Sequence, residues 1–484
     1  MSSYIEELLN QHFPFEPTSG QKELLYGISR FLDSFKPKCA LLIKGYAGTG
    51  KTTIIGSMVK TLAALEMNAV LMAPTGRAAK IMSNYSGKAA TTVHKRIYMR
   101  KVKSGAGSGY ALAPNLFENT VFIVDEASMI GGKGIASAEA QFEYRDLLTD
   151  LLNYVYSGKS CRLILIGDTA QLPPVGSDQS PAMDLKFLIS EYGLTAAGFE
   201  LTEVLRQAEG SGVLINATQL REQIRTKDTG WPSFRLEGFD DIKRINGADL
   251  QEILEDAFHK HGPEGVCVIT RSNKRANLFN LQIRSRIFWQ EELPEAGDLC
   301  MVVKNNYHWI AGMNEFPVDF IANGDTAEIL KIIRREEVFD LEFADAMLRL
   351  SDYPGAQPIE AKILLNTLTN DGPNLDSGRM RKLYDEISLT YVELADPKRI
   401  REAVMKDPYY NALQVKFAYA VTCHKAQGGQ WPFVIIDQGY LTEELIDIEF
   451  LRWLYTALTR SSGQVYLLNF ADEFFGGEIG GFRV

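Results

Sequence analysis

The sequence has few cysteines, and their spacing is not typical of disulfide-bonded or metal-binding cysteines. Five are scattered along the 484 residues without a CxxC pair or a neighbouring histidine cluster: Cys39, Cys161, Cys267, Cys300 and Cys423. Such a pattern argues against a disulfide framework and against a zinc site. We therefore expect reduced, structural thiols in an intracellular, cytoplasmic protein.

Long apolar runs are missing as well. The chain has no run of about 18 apolar residues, and its N-terminus has no basic segment followed by an apolar one. Membrane insertion and export thus lack their physical prerequisites, and we expect no membrane association.

The chain also lacks an excess of positive charge. The chain has 51 Lys and Arg against 61 Asp and Glu, a net charge of −10. Affinity for phosphates comes from Lys and Arg that displace counterions, so any such affinity must come from a local basic face. One candidate face is the cluster Lys95, Arg96, Arg100, Lys101 and Lys103. A solvated charge run explains this cluster equally well from charge alone.

Buried strands alternate with helical stretches in the first half of the chain, as expected for a parallel sheet flanked by helices. The predicted strands of this region are residues 40–44, 69–73, 121–124 and 163–167. A second set comprises strands 265–270, 433–437 and 464–469 and a helix over residues 273–288. The sequence therefore predicts two α/β domains, in a chain whose length suggests about three domains.

Two insertions interrupt these domains. Residues 297–409 contain short strand candidates, such as 299–303 and 326–332, between polar linkers, which predicts a small β-rich domain. Residues 95–119 carry the sequence SGAGSG between two stretches that could pair, which predicts a hairpin or a flexible loop.

A phosphate-binding loop follows the first predicted strand. Residues 45–52 read GYAGTGKT and are followed by a helical run over residues 53–65. Glycines allow the backbone to wrap around phosphates with its N–H groups pointing inward. Lys51 then neutralises phosphate charge, and the hydroxyl of Thr52 is a ligand for Mg²⁺. The loop predicts contacts to nucleotide from Gly45, Ala47, Gly48, Thr49, Gly50, Lys51, Thr52 and Thr53.

Two adjacent carboxylates end the third predicted strand, in the sequence VDEAS. Asp125 can hold Mg²⁺ through water, and Glu126 can accept a proton from an attacking water. An acidic pair alone is more often a surface or helix-start feature. A strand terminus about 75 residues after a phosphate loop favours the catalytic interpretation.

Two glutamines complete the candidate nucleotide site. Gln171 follows the fourth strand in GDTAQLPPV, where an amide could sense the terminal phosphate or orient water. Gln21, in TSGQKELL, could contact the adenine edge through both ends of its amide. Without further context, a surface glutamine on a helix is the more common explanation for Gln21.

The order of these motifs resembles that of superfamily 1 helicases, in the 5′-to-3′ branch of RecD-like proteins and the phage Dda helicase. The resemblance extends to further segments along nearly the whole chain: APTGRAAK (73–80), TTVHK (91–95), LTEVLRQ (201–207), KNNY (304–307), NGD (323–325), TCHKAQGGQ (422–430) and YTALTRS (455–461). It implies an ATP- and Mg²⁺-dependent DNA helicase that acts on single-stranded DNA and duplex junctions.

The resemblance also implies a domain plan. Residues 1–94 and 120–207 would form one RecA-like domain, and residues 208–296 and 410–484 a second. Residues 95–119 would be a strand-splitting hairpin, and residues 297–409 an SH3-like barrel. ATP would bind between the RecA-like domains. Members of this branch can act as monomers, and the sequence names no protein partner.

The family's motifs assign further residues. Arg206 and Arg460 would be arginine fingers that stabilise charge on the terminal phosphate. Contacts to the strand backbone would come from Pro74, Thr75, Arg77, Thr92, His94, Asn306, Thr422, His424 and Lys425. Many relatives carry Glu where this chain has Gln430 near the nucleotide, so an amide replaces a charge there.

Two other functions fit the same motifs. An RNA-directed motor would share the grip on the strand backbone but depend on the 2′-hydroxyl. A nucleotide-switched strand-binding protein, or a translocase that does not unwind, would hydrolyse ATP without separating strands.

Overall fold

The computed structural model describes residues 2–34, 36–101, 109–132, 146–203, 210–313, 316, 320–351, 353 and 355–476. In this part of the chain, two parallel β-sheets with flanking helices accompany a closed β-barrel and a two-stranded hairpin. This architecture confirms the predicted fold class.

The first sheet has six parallel strands in the order β3-β2-β6-β7-β1-β8. Their bounds are β1 Cys39–Gly45, β2 Asn68–Ala73, β3 Ala90–Thr92, β6 Thr120–Val124, β7 Arg162–Gly167 and β8 Thr195–Leu201. The four strands predicted from the sequence are the inner ones, which helices bury on both faces. The two edge strands, β3 and β8, were not predicted.

In the described residues of the first half, the α-helices are α1 Ser2–His12, α2 Ser19–Leu32, α3 Lys51–Ala64, α4 Gly76–Ser86, α5 Val93–Ile97, α6 Leu147–Ser157 and α7 Leu185–Tyr192. Side chains of β1 alternate between the two faces of the sheet. Leu41 and Ile43 pack in the core with α1, α2 and α3, whereas Ala40 and Leu42 pack in the core with α5 and α6.

The second sheet has five parallel strands in the order β16-β10-β17-β18-β9. Their bounds are β9 Ile242–Ile245, β10 Val266–Thr270, β16 Ala420–Thr422, β17 Trp431–Asp437 and β18 Ser461–Leu468. The helices of this region are α8 Gly212–Thr226, α9 Leu250–His261, α10 Asn273–Arg286, α14 Cys423–Ala426 and α15 Ile448–Leu458.

The barrel interrupts this second domain. It is closed by β11 Leu299–Val302, β12 Thr326–Val338, β13 Leu341–Leu350, β14 Ile359–Leu364 and β15 Leu413–Phe417. The last strand lies beyond residue 409, where we expected the insertion to end. Arg284 on α10 ties the barrel to the sheet domain through a buried bidentate ion pair with Asp298, at 2.6 and 2.8 Å.

A helical segment separates the last two barrel strands, where the sequence predicted only strands and linkers. It contains α11 Asn366–Thr369, α12 Ser377–Thr390 and α13 Pro397–Val404. Leu383, Ile387 and Val404 from these helices pack with Leu341 and Phe343 of β13. These helices therefore form a hydrophobic cluster with β13 that is separate from the cluster containing Ala344, Ala346 and Leu348 of the same strand.

The hairpin consists of β4 Tyr98–Lys101 paired antiparallel with β5 Gly109–Leu112. The intervening residues 102–108, which include Lys103 and most of the SGAGSG sequence, lie outside the described residues, as do the side chains of Arg100, Lys101 and Tyr110. The Tyr98 hydroxyl donates to Asp150 at 2.7 Å, so this ring packs against the first domain. Among the helices described, none is long and apolar enough to cross a bilayer.

Candidate nucleotide site and strand-contact surface

The loop between β1 and α3 has the backbone shape of an anion cradle. Gly48 and Gly50 adopt left-handed conformations, with φ of 76° and 85°, which favour glycine. A Cβ at Gly45 would lie 2.9 Å from Cγ of Lys51. Gly50 begins α3 without a side-chain cap, so no side chain occupies the first N–H groups of the helix.

Lys51 lies across the mouth of this loop. Its Nζ donates to the carbonyl oxygens of Gly45 at 2.7 Å and Tyr46 at 3.0 Å. Both acceptors are neutral, so the ammonium charge is held in place but not neutralised. Thr49 stabilises the same loop, because its hydroxyl donates to the Tyr46 carbonyl at 2.8 Å.

The two predicted carboxylates stand at the end of β6. Oδ1 of Asp125 accepts from the Glu126 backbone N–H at 2.9 Å, and Oδ2 accepts from the Tyr85 hydroxyl at 2.7 Å. Oε2 of Glu126 is buried and has no hydrogen-bond partner. Burial and the neighbouring Asp125 raise the pKa of Glu126, while Arg460 and Lys51 oppose that rise. A buried carboxylate oxygen without a hydrogen-bond partner fits a place where a water or a cation binds.

Gln171 lies beyond the end of β7 and faces the same space. Its side chain is 5% exposed, and its Oε1 is buried without a hydrogen-bond partner. The amide is thus positioned with free hydrogen-bonding capacity at the cavity, as its predicted role requires.

Arg460 reaches the cavity from the second domain, at the junction of α15 and β18. It is 4% exposed and donates to the Thr456 carbonyl at 3.1 Å, the Gly429 carbonyl at 3.3 Å and the Thr459 hydroxyl at 3.3 Å. All of these acceptors are neutral, and no carboxylate of the described chain pairs with this guanidinium. The positive charge is therefore available to a ligand.

A cavity of about 570 Å³ brings most of the predicted nucleotide residues together. From the predicted set, its walls include Ala47, Gly48, Gly50, Lys51, Thr52, Thr53, Asp125, Glu126, Gln171, Gln430 and Arg460. Gly45 and Thr49 shape the loop beneath it. Arg206 lies outside the described residues.

The amide of Gln21 is used in hydrogen bonds within the first domain, whereas its predicted role is a contact to adenine. It is 2% exposed; its Nε2 donates to the Thr49 carbonyl at 3.0 Å, and its Oε1 accepts from the Thr18 N–H at 3.0 Å. It does not belong to the cavity wall described above. In this conformation Gln21 caps α2 and ties that helix to the phosphate loop, and an adenine contact stays a prediction.

Hydrogen bonds join the two domains beside the cavity. The Tyr455 hydroxyl, on α15, donates to Oδ2 of Asp168 at 2.6 Å and accepts from the Ala47 N–H at 3.0 Å. The Leu172 N–H donates to the Thr456 hydroxyl at 2.9 Å. These groups are polar and largely buried, so the domain interface is directional rather than a simple apolar contact.

Several predicted strand contacts lie at the start of α4. The Thr75 hydroxyl accepts from the Ala78 N–H at 3.2 Å and so caps the helix, directly after Pro74. The Arg77 guanidinium lies 3.9 Å from the ring centroid of Trp431 and donates to the Gln430 carbonyl at 3.3 Å. Arg77 therefore contacts the second domain in this conformation.

Thr92 and His94 are enclosed by the first domain. The Thr92 hydroxyl caps α5 by accepting from the Lys95 N–H at 3.1 Å. Burial lowers the pKa of His94 to about 4, so the ring is neutral near pH 7. A neutral ring can hydrogen-bond a strand but cannot pair with a phosphate charge.

The second domain presents Thr422, His424 and Lys425 on and before the short helix α14. Burial lowers the pKa of His424. Nζ of Lys425 is buried without a hydrogen-bond partner, and burial together with Lys416 lowers its pKa to about 7. A buried amine without an acceptor is well placed to receive an anion, because binding would restore its charge.

Asn306 is engaged within the barrel region. Its Nδ2 donates to the Asn411 carbonyl at 2.7 Å, and its Oδ1 accepts from the His308 N–H at 3.0 Å. The side chain is 8% exposed. It stabilises a turn here and is not presented to a strand.

Comparisons with known proteins agree with this division into two domains. A family model described as an AAA domain matches residues 34–233, and one described as the C-terminal domain of UvrD-like helicases matches residues 417–468. The chain is 25% identical over 466 residues to the ATP-dependent RecD2 DNA helicase of Deinococcus radiodurans, covering 93% of this chain and 50% of that protein.

A second relative is the ATP-dependent DNA helicase dda of Enterobacteria phage T4. It is 27% identical over 293 residues, covering 59% of this chain and 60% of that protein. These matches support the resemblance to superfamily 1 helicases of the RecD- and Dda-like branch. The chain spans between half and two thirds of the length of these two relatives.

A solved structure of two coordinating Pif1 helicases at forked double-stranded DNA aligns with 96% of this chain and 95% of that one. The identity is 15% and the TM-score is 0.46.

Two residues that contact the candidate site, Tyr85 and Tyr455, were not predicted from the sequence. Tyr455 lies in the YTALTR segment, in which the sequence predicted a functional role for Arg460 alone. Tyr85 follows the APTGRAAK segment at the end of α4. The one sequence signal was an aromatic hydroxyl close to a motif, which is too common to single out either residue.

Proposed function

We propose that this chain is an ATP-dependent DNA helicase that moves 5′-to-3′ along single-stranded DNA and separates strands at duplex junctions. The observation that carries the proposal is the composition of one cavity. Lys51, Glu126 and Gln171 from the first domain share it with Arg460 from the second. A nucleotide in this cavity would contact both domains, so its hydrolysis could change their relative position.

We propose ATP and Mg²⁺ as the cofactors. Thr52 and Asp125 would hold the metal, which supplies positive charge to the phosphates when bound. The unpartnered Oε2 of Glu126 and Oε1 of Gln171 support this assignment, because the site has unused acceptors where water and a metal ion would lie. Glu126 would accept the proton of the attacking water.

Arg460 would complete the site only when the two domains are in contact. Its guanidinium is held by neutral acceptors, so its charge is free to stabilise the terminal phosphate. An arginine supplied in this way typically contributes several orders of magnitude to the rate. Loss of that phosphate would remove an attraction between the domains and favour opening of the cleft.

The grip on the strand would be independent of sequence. The candidate contacts are hydroxyls, neutral rings, the guanidinium of Arg77 and the buried amine of Lys425, which suit a phosphate backbone rather than base edges. A local set of this kind is compatible with a net charge of −10. It supports a motor that must pass over every sequence.

The test is ATP-dependent unwinding of two duplexes that differ only in having a 5′ or a 3′ single-stranded DNA tail. We expect separation from the 5′ tail alone, and none by a Lys51→Ala variant, which cannot hold the phosphates. Strand-stimulated ATP hydrolysis without separation of either duplex would support a translocase or switch instead. Preference for an otherwise identical 5′ RNA tail would identify an RNA-directed motor.

A further inference from the structure

Helix α4 connects the candidate strand-contact surface with the candidate metal site. Thr75 caps its first turn, and Arg77, in that turn, stacks on Trp431 of the second domain. At the other end, the Tyr85 hydroxyl donates to Oδ2 of Asp125 at 2.7 Å. One uninterrupted helix of 11 residues therefore contacts both functional regions.

The Tyr85–Asp125 hydrogen bond fixes the plane of the carboxylate. Oδ1 already accepts from the Glu126 N–H at 2.9 Å, so each oxygen has one donor. Burial and the nearby negative charge of Asp125 raise the pKa of Tyr85, so the phenol keeps its proton and remains a donor. Without this hydroxyl, the hydrogen bond from the Glu126 N–H would be the remaining one described here that limits rotation of the Asp125 carboxylate.

The middle of α4 is anchored along its length. Ala79 and Met82 are buried against the first sheet, and Ala78 and Ile81 line the nucleotide cavity. A helix rises about 1.5 Å per residue, so residues 77 and 85 are roughly 12 Å apart. Such a short, packed helix moves as a unit, because its backbone hydrogen bonds and side-chain packing resist bending.

We propose that Tyr85 is a positioning residue that orients Asp125 toward Mg²⁺, and that α4 makes this orientation respond to strand bound at Thr75 and Arg77. This inference rests on the proposed function. A group that hydrogen-bonds a metal ligand from outside the coordination sphere commonly changes metal affinity 10- to 100-fold. Because coupling between two binding events is reciprocal, strand should also alter the apparent affinity for Mg²⁺.

The test is Tyr85→Phe, which removes only the hydroxyl. Its matched control is Tyr156→Phe, since the Tyr156 hydroxyl makes one hydrogen bond, of 2.8 Å, to the Cys39 carbonyl. Tyr156 lies on α6, at the opposite end of β1 from the phosphate loop. Binding of a fluorescent, nonhydrolysable ATP analogue is followed while free Mg²⁺ is varied, with and without oligothymidylate.

We expect oligothymidylate to lower the Mg²⁺ concentration for half-maximal binding in the native chain and in Tyr156→Phe. In Tyr85→Phe that concentration should rise roughly tenfold, and oligothymidylate should no longer change it. An unchanged Mg²⁺ requirement, or an unchanged effect of oligothymidylate, in Tyr85→Phe would overturn the inference. The measurement needs no turnover, so a native chain that binds the analogue but never unwinds DNA would refute the proposed function separately.

Discussion

Replacing Glu126 by Gln is the sharpest test of the proposed chemistry. The substitution keeps the shape of the side chain but removes the carboxylate that would accept a proton from water. Oε2 of Glu126 has no hydrogen-bond partner, so the change breaks no existing bond at that atom. It also removes a buried negative charge next to Asp125, so we expect the melting temperature to stay the same or to rise.

The expected effect on turnover is large. General base catalysis by a positioned carboxylate typically contributes 10²- to 10⁴-fold, so we expect the strand-stimulated kcat to fall about a thousandfold. At about 1.4 kcal/mol for each factor of ten, this is a loss of about 4 kcal/mol of transition-state stabilisation. Nucleotide affinity should persist, because Lys51 and the loop N–H groups are untouched.

The assay compares steady-state ATP hydrolysis at saturating strand with equilibrium binding of a fluorescent ATP analogue. Glu118→Gln is the matched control, since this exposed carboxylate pairs only with Lys159, at 3.4 Å. A kcat within about threefold of the native value would refute the assignment of Glu126 as the base. A parallel loss of analogue binding would instead assign Glu126 to nucleotide binding.

Three further predictions concern the other groups. Arg460→Ala should lower kcat by about a thousandfold or more in strand-stimulated hydrolysis while analogue binding is retained; a fall of less than tenfold would argue against an arginine finger. Lys425→Gln should reduce the slope of log strand affinity against log salt by about 0.7 at pH 6, where the amine is charged, and by less above its pKa of about 7. A slope that does not change at pH 6 would remove Lys425 from the strand contacts. Asn306→Ala should cost about 1 to 3 kcal/mol of unfolding free energy in denaturant titration, because the hydrogen bonds of its amide to the Asn411 carbonyl and from the His308 N–H are lost, and it should leave that salt slope unchanged.

The inner strands of both sheets were predictable because burial on both faces gives short, continuous apolar runs. The edge strands gave no such signal. In β8, small and exposed residues stand where an inner strand would be apolar, and β9 carries Lys243 and Arg244. An edge position needs no apolar residues on its open side, so hydrophobic pattern alone cannot separate these segments from loops.

The sequence contains helix-capping residues before two of the helices between β14 and β15, although we predicted a β-rich domain there. Asp376 caps α12 by accepting from the Arg379 N–H at 2.9 Å, and Asp396 caps α13 with Pro397 in its first turn. An acidic or hydroxyl cap followed by proline is a typical helix start. The stretch looked like polar linkers because the two helices bury only a few side chains each.

Most residues that line the cavity were predictable, because they belong to motifs with a known order along the chain. The contacts of Tyr85 and Tyr455 could not be predicted, because their partners lie 40 and 287 residues away in sequence. Gln21 and Asn306 show the opposite case. Each residue lies in a segment for which the sequence predicted a ligand contact. In the structure, each side-chain amide instead donates a hydrogen bond to a backbone carbonyl of the protein.

The two hydrogen bonds of the Tyr455 hydroxyl, to Ala47 and Asp168, bear on how far such a motor would travel in each cycle. Hydrogen bonds weaken steeply with distance and angle, so these contacts cannot stretch gradually as the domains separate. An interface of this kind has discrete positions rather than a continuous range. We therefore expect the length of a translocation step to be set by the domain interface, and to stay constant as the sequence of the strand or the opposing force varies.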